Sequence, residues 1–183
     1  MATVVVIRRL LRDELSFVAQ IDRTERISVL YEQRGTELVE RRGDFSASEW
    51  AVDGDGEHSV TAQVQALEHY ADVGGVVLGA FIDHRVVGIG VVVLHLRPGM
   101  AQLAYLHVTA SSRDAGIGAR LCEALREIAC AEGDTEWVVS ATPSEHTVRF
   151  YVARGFRPMA EPLAELFELE PEDIHLSAPL WTA

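Results

Sequence analysis

The stretch Leu106-His-Val-Thr-Ala-Ser-Ser-Arg-Asp-Ala-Gly-Ile-Gly-Ala-Arg-Leu121 sets the frame for the whole chain. Its first residues continue a β-branched and aromatic run over 102–109, which reads as a strand. Its last residues open a helix predicted over 115–132, because Ile117, Leu121, Leu125 and Ile128 recur on one face. Gly133-Asp134 closes that helix. Gly116 and Gly118 therefore sit at a helix start, directly after a strand. The first amides of a helix have no intrahelical acceptor, and the helix dipole is positive there. Glycine lets a ligand approach that backbone closely, so the turn suits a phosphate.

Two other glycine motifs fail here. A P-loop ends in Gly-Lys-Ser/Thr, whereas Gly118 is followed by Ala119 and Arg120. A dinucleotide turn needs a third glycine, and Leu121 stands where it would be. What remains is Arg-x-x-Gly-x-Gly after a strand. One predicted strand later (137–141) comes Ser144-Glu-His-Thr-Val-Arg-Phe-Tyr-Val-Ala-Arg-Gly-Phe156, a helix over 144–154 closed by Gly155.

These two segments resemble the Gcn5-related acyltransferases, the GNAT superfamily. The first is similar to that superfamily's coenzyme A diphosphate signature. The second is similar to its later helix, through Phe150-Tyr151 and Gly155-Phe156. Ser144 and Thr147 depart from the usual Asn and Ala, and Ala115 stands where Gly or a basic residue is frequent. The resemblance implies a mixed α/β, α+β-like fold: a sheet of about six to seven strands with one splayed pair, flanked by about four to five helices. The pantetheine arm of acetyl-coenzyme A, the acyl donor, is then expected between the strands 102–109 and 137–141. The donor contacts it implies are Leu106, His107, Val108, Arg113, Asp114, Ala115, Gly116, Ile117, Gly118, Ala119, Ser144, Thr147 and Tyr151. No metal is expected, since the histidines show no ligand spacing.

Working outward, 3–9 reads as a strand and 12–30 as helical, from Leu15, Val18, Ile21, Ile27 and Leu30. The charged run 31–50 shows no period. Residues 52–57 form an Asp/Gly loop without calcium-loop spacing. Residues 59–70 read as a helix with Ser59 as N-cap. The strands 76–82 and 86–96 flank the turn Asp83-His84-Arg85 as a hairpin. Short strands near 156–159 and 174–180 end the chain, and the last could pair or swap in a homodimer.

The 183 residues fit one acetyltransferase domain over 1–183. Hydrophobic residues are 48% and charged residues 24%, a globular balance. The net charge of −12 argues against a nucleic-acid partner, which requires clustered cations, and favours cationic acceptors such as amines. The apolar run 4–7 is too short for a signal-peptide core. No run approaches the ~20 apolar residues of a membrane span. Cys122 and Cys130 lie about 12 Å apart along one helix, too far for a mutual disulfide. Together these point to the cytoplasm.

The reaction that the resemblance implies is direct acetyl transfer to a primary amine, most simply one on a small molecule. A backbone amide at Leu106 or its neighbours serves the oxyanion. Tyr151 stands at the superfamily's general-acid position; a phenol near pKa ~10 facing a thiol near ~8.5 favours a hydrogen bond to sulfur over full proton transfer. For the base, Gln102 occupies a position where some members carry Glu, and it can only position a water. His107 titrates in the useful range. Asp22, Glu25 and Tyr31 are candidate acceptor contacts. Two rivals are a protein or peptide acceptor and a non-catalytic acyl-coenzyme A sensor on the same fold.

Overall fold

The β-branched runs lie side by side in one sheet, and the amphipathic runs pack on its two faces. In a computed structural model that describes residues 4–181, the order is β1 (Val6–Arg9), a 3-10 segment (Arg12–Gln20), β2 (Glu25–Arg34), β3 (Glu37–Ala47), α1 (Val60–Asp72), β4 (Val76–Ile82), β5 (Arg85–Arg97), β6 (Met100–Val108), a 3-10 turn (Ala110–Ser112), α2 (Ile117–Ala131), β7 (Glu136–Ala141), α3 (Glu145–Val152), β8 (Arg157–Pro158), α4 (Ala164–Leu169) and β9 (Ile174–Pro179). Thr3, the first residue of the predicted opening strand, lies outside the described residues. No helix among the described residues is long and apolar enough to cross a membrane.

Seven strands form a mixed sheet ordered β1-β4-β5-β6-β7-β9-β8. All neighbours are antiparallel except β6 and β7. That parallel pair needs a crossover, and α2 supplies it. One face buries Ile117, Leu121, Leu125 and Ala129 of α2 with Val148 and Tyr151 of α3. The other face buries Leu15 and Val18 of the 3-10 segment with Leu67 of α1, and Val138 against Leu163 and Leu166 by α4. The β4–β5 connection is a tight turn with Asp83 at φ 46° and His84 at φ 66°, the left-handed pair that two-residue hairpins of the I′ kind require. Ser59 caps α1 as predicted, accepting from Ala62 N at 3.1 Å.

The helix α2 approaches β5 closely because β5 carries glycine beneath it. A Cβ on Gly88 would sit 2.9 Å from Leu121 Cδ1, and one on Gly90 would sit 2.8 Å from Leu125 Cδ1. Gly90→Val is expected to destabilise the fold by about 1–3 kcal/mol through overpacking, read as a lowered denaturation midpoint at unchanged slope. An unchanged midpoint would mean that α2 can lift without cost.

The 12–30 helix is corrected, and the unplaced run after it resolves into strands. Residues 12–30 are not one helix: the 3-10 segment ends at Gln20, and β2 begins at Glu25. Leu15, Val18 and Ile21 recur every third residue, the period of a 3-10 helix. Ile27, Val29 and Tyr31 alternate, which is strand spacing. The charged run 31–50 is likewise mostly hairpin, with β2 and β3 paired from Glu25↔Ala47 to Arg34↔Glu37. Its charges sit on both faces because this two-stranded sheet stands off the main one and is largely solvated. Gln33 ties it down: its amide nitrogen donates to the carbonyls of Met159 (2.8 Å) and His175 (3.2 Å), and its carbonyl oxygen accepts from His175 N (2.7 Å). The predicted last strand is also not a free edge. β9 lies between β7 and β8, which pairs with it at Arg157↔Ser177 and Pro158↔Leu176.

Candidate acyl-transfer site

The strands β6 and β7 pair at only three positions, Met100↔Glu136, Ala101↔Trp137 and Gln102↔Val138. Beyond Gln102 they part. The cause is a bulge: Val91 faces Tyr105 and Val92 faces Leu103, so Ala104 has no partner on β5. An extra residue bends its strand and resets which face each side chain takes. Ala101 and Leu103 pack under α2 before the bulge, and Leu106 and Val108 pack there after it. Tyr105 packs on the opposite, α1 face.

The gap between the parted strands is lined by free backbone. Thr109 N donates to Val87 O on β5 at 2.9 Å. Ladder direction alternates along a strand, so the N–H groups of Leu106 and Val108 point the other way, into the gap. These are donors of the kind an oxyanion or an amide-containing arm uses.

At the end of β6 the chain turns into α2. Gly116 takes φ 76°, and α2 has no side-chain cap. Arg120 N is the first to bond inside the helix, to Gly116 O at 3.1 Å. The amides of Ile117, Gly118 and Ala119 therefore have no helical acceptor. Asp114, Ala115 and Gly116 are exposed beside them. This amide cluster fits a diphosphate. Arg113 does not contribute its charge directly: its guanidinium turns inward, donating to Thr24 O (2.8 Å) and Val108 O (3.3 Å). It pins the turn instead.

Tyr151 is buried on α3, edge-on to Phe150 and Phe156. Burial, and next the nearby Cys122, push its phenol well above its usual range. It stays protonated at any working pH and is a hydrogen-bond donor first. Ser144, fully buried, caps α3, and its hydroxyl meets Thr147 Oγ1 at 3.0 Å.

The other predicted residues spread out. Gln102 is buried at the last β6–β7 pair. His107 packs between Tyr105 (centroids 4.7 Å, tilted) and Trp50 (5.3 Å, edge-on). Burial, then the charges of Arg23 and Arg113, lower it to about 4. It is neutral at pH 7, and drawing a proton from an alkylammonium near ~10.4 would cost roughly 9 kcal/mol, too much for a base. Asp22 is spent on Thr24, accepting from its N (2.8 Å) and Oγ1 (2.6 Å), which lowers its pKa. Glu25 opens β2, half-buried. Tyr31 N donates to Pro143 O at 2.8 Å, which lays the hairpin across the end of β7.

Between that hairpin and β9 opens a cavity of about 540 Å³, lined among others by Tyr31, Gln33, Phe167, Asp173 and His175. Of these only Tyr31 was singled out from sequence. Among the described residues no group of three or more His, Cys, Asp or Glu side chains is arranged to hold a metal ion.

A splayed parallel pair, a helix-start amide cluster and a buried tyrosine on α3 are the arrangement that the sequence resemblance led us to expect. The model of the acetyltransferase (GNAT) family matches residues 40–156, and the chain belongs to that family. No curated protein matches the sequence. Among solved structures, nourseothricin acetyltransferase superposes with a TM-score of 0.72 at 14% identity, over 98% of this chain and 100% of that one. A streptothricin acetyltransferase assignment from Bacillus anthracis str. Ames, solved with acetyl coenzyme A, gives 0.70 at 14%, over 98% and 99%. The PaiA N-acetyltransferase of Thermoplasma acidophilum, solved with coenzyme A, gives 0.63 at 15%, over 96% and 99%.

Proposed function

We propose that this chain, acting as one domain over 1–183, moves the acetyl group of acetyl-coenzyme A directly to a primary amine on a small molecule. The observation that carries the reading is the parting of β6 from β7 after Gln102, with the Leu106 and Val108 amides facing the gap. The free amides at Ile117–Ala119 would hold the diphosphate, and Tyr151 would donate to the leaving sulfur. The neutral amine attacks the thioester carbon, the N–C bond forms, and the C–S pair departs on sulfur. The small-molecule acceptor is supported by the β2–β3 hairpin, which walls the site where a protein chain would have to lie. The net charge of −12 draws cations toward it.

The test is calorimetry with acetyl-coenzyme A, followed by thiol release over a panel of primary amines. Micromolar donor binding and release with at least one small amine are expected. The chain carries no lysine, all 16 of its Lys/Arg positions being arginine, so lysine self-acetylation cannot contribute a background. Donor binding with thiol release only on peptides would overturn the small-molecule acceptor.

A further inference from the structure

The residues just before β9 reach the open end of the splay. β9 pairs with β7 at Ser140↔His175 and Ala141↔Ile174, so Asp173 lies one step beyond the last β7 residue. Ser140 shares a face with Val138, the α4 side, because side chains alternate along a strand. His175, 2% exposed, fixes this corner. Its Nε2 donates to Glu170 O at 3.0 Å, which leaves Nδ1 to accept from the Ser140 hydroxyl at 3.3 Å. Asp173 N donates to Glu170 O at 3.2 Å, so the 170–173 turn is held against β7.

The Asp173 carboxylate is half-buried, lines the cavity, and has no hydrogen-bond or ion-pair partner among the described residues. The charged and titratable groups around it are Glu170 at the end of α4, Glu57 before α1, its neighbours Glu172 and His175, Tyr151 on α3, and Glu32, Arg41 and Tyr31 from the hairpin. Glu32 is already paired with Arg34 at 2.9 Å, and Arg41 lies over Phe45.

Resting on the acyl-transfer reading above, we propose that this cavity receives the acceptor, a small molecule with one ammonium to be acetylated and at least one further positive charge, and that Asp173 is the base that takes the attacking nitrogen's proton. The ammonium gives one proton to the Asp173 carboxylate. The freed lone pair forms the N–C bond, the C–S pair leaves on sulfur, and the second nitrogen proton passes to that sulfur. The products are the amide, the thiol and one proton on Asp173, which solvent removes. Burial, then the charges of Glu170 and Glu57, push Asp173 up to about 7. It is therefore ionised just above neutrality and far better matched to an ammonium than His107. The second cation relieves the repulsion between these carboxylates.

The test compares 1,4-diaminobutane with 1-aminobutane, which differ in the second charge, on the wild type, Asp173→Asn and Asp173→Glu. Calorimetry in the presence of coenzyme A is expected to show the diamine binding at least tenfold more tightly than the monoamine, with diamine binding weakened at least tenfold in Asp173→Asn. In thiol release, wild-type kcat/KM should rise with pH through about 7 and then level. Asp173→Asn should be down about 100-fold at pH 7 and keep rising toward the amine's own pKa near ~10, because free amine must then come from solution. Asp173→Glu should recover part of the rate and restore the plateau. Equal binding of the two amines overturns the substrate class, and a wild-type pH profile in Asp173→Asn overturns the base. If acetyl-coenzyme A and the diamine both bind but no thiol appears, the acyl-transfer reading falls and the base with it, while the diamine preference still decides the cavity.

Discussion

Gly116→Glu is expected to weaken acetyl-coenzyme A binding at least about 100-fold, equivalent to roughly 2.7 kcal/mol. Nothing lies within 4 Å of the position a Cβ would take at Gly116, so the side chain enters open space and no clash confuses the result. Two effects remain. A carboxylate about 5 Å from a phosphate charge costs roughly 3 kcal/mol at an effective dielectric near 20. The φ of 76° also strains any residue with a Cβ, by about 1–2 kcal/mol. Gly116→Ala separates them. It carries the strain without the charge, so it should lower thermal stability while costing less than about tenfold in donor affinity, since the amides of Ile117, Gly118 and Ala119 remain. Calorimetric titration of both variants reads the difference. A Gly116→Glu protein that binds like the wild type would mean that the diphosphate lies elsewhere.

The elements that could be read from sequence are those whose signals are local. α1 carries its own cap in Ser59, and α2 carries a stripe of four apolar residues and a glycine at each end. The β4–β5 turn sits at Asp83-His84, one residue shorter than the Asp83-His84-Arg85 turn read from sequence, because Arg85 already pairs with Ile82. The 12–30 segment misled because a spacing of three fits both a 3-10 turn and an α-helix over two turns, and because Ile27 and Leu30 extend that spacing by chance into a strand. The hairpin β2–β3 was hidden by its solvation. With Arg, Glu and Asp on both faces, it lacks the polar/apolar alternation that marks a half-buried strand. α4 was missed because its six residues are too few to show a period.

The same division runs through the site. The helix-start amides were legible because the strand, the glycine turn and the helix that expose them are adjacent in sequence. The splay came only from resemblance. Its physical cause, the unpaired Ala104, is a matter of register between β5 and β6 and leaves no mark in either strand alone. Arg113 was expected at the phosphates because it belongs to the motif, yet two carbonyls, Thr24 O and Val108 O, claim its guanidinium. His107 looked like a base by its ordinary pKa. Burial between Trp50 and Tyr105 removes the water that its cation needs. Asp173 could not be found from sequence at all, since its place beside β7 depends on β9 inserting between β7 and β8.

Tyr151→Phe is expected to lower kcat about 100-fold while leaving the acetyl-coenzyme A dissociation constant within threefold. The substitution removes one oxygen from a packed ring. Among the described residues the hydroxyl bonds to nothing, so folding should lose less than about 0.5 kcal/mol and the melting temperature should hold. On the proposed mechanism, what is lost is a donor to charge that develops only as the C–S bond breaks. A hydrogen bond to a charged group contributes about 1.5–3 kcal/mol, and 2.7 kcal/mol corresponds to about 100-fold in rate. The loss should fall on kcat because the thioester sulfur carries little charge before the reaction. Burial holds the phenol above its ordinary value, so its titration should leave no alkaline limb below about pH 10. An enzyme whose kcat is unchanged by Tyr151→Phe would show that the departing sulfur needs no hydrogen bond from this phenol, and Tyr151 would then be a packing residue between Phe150 and Phe156.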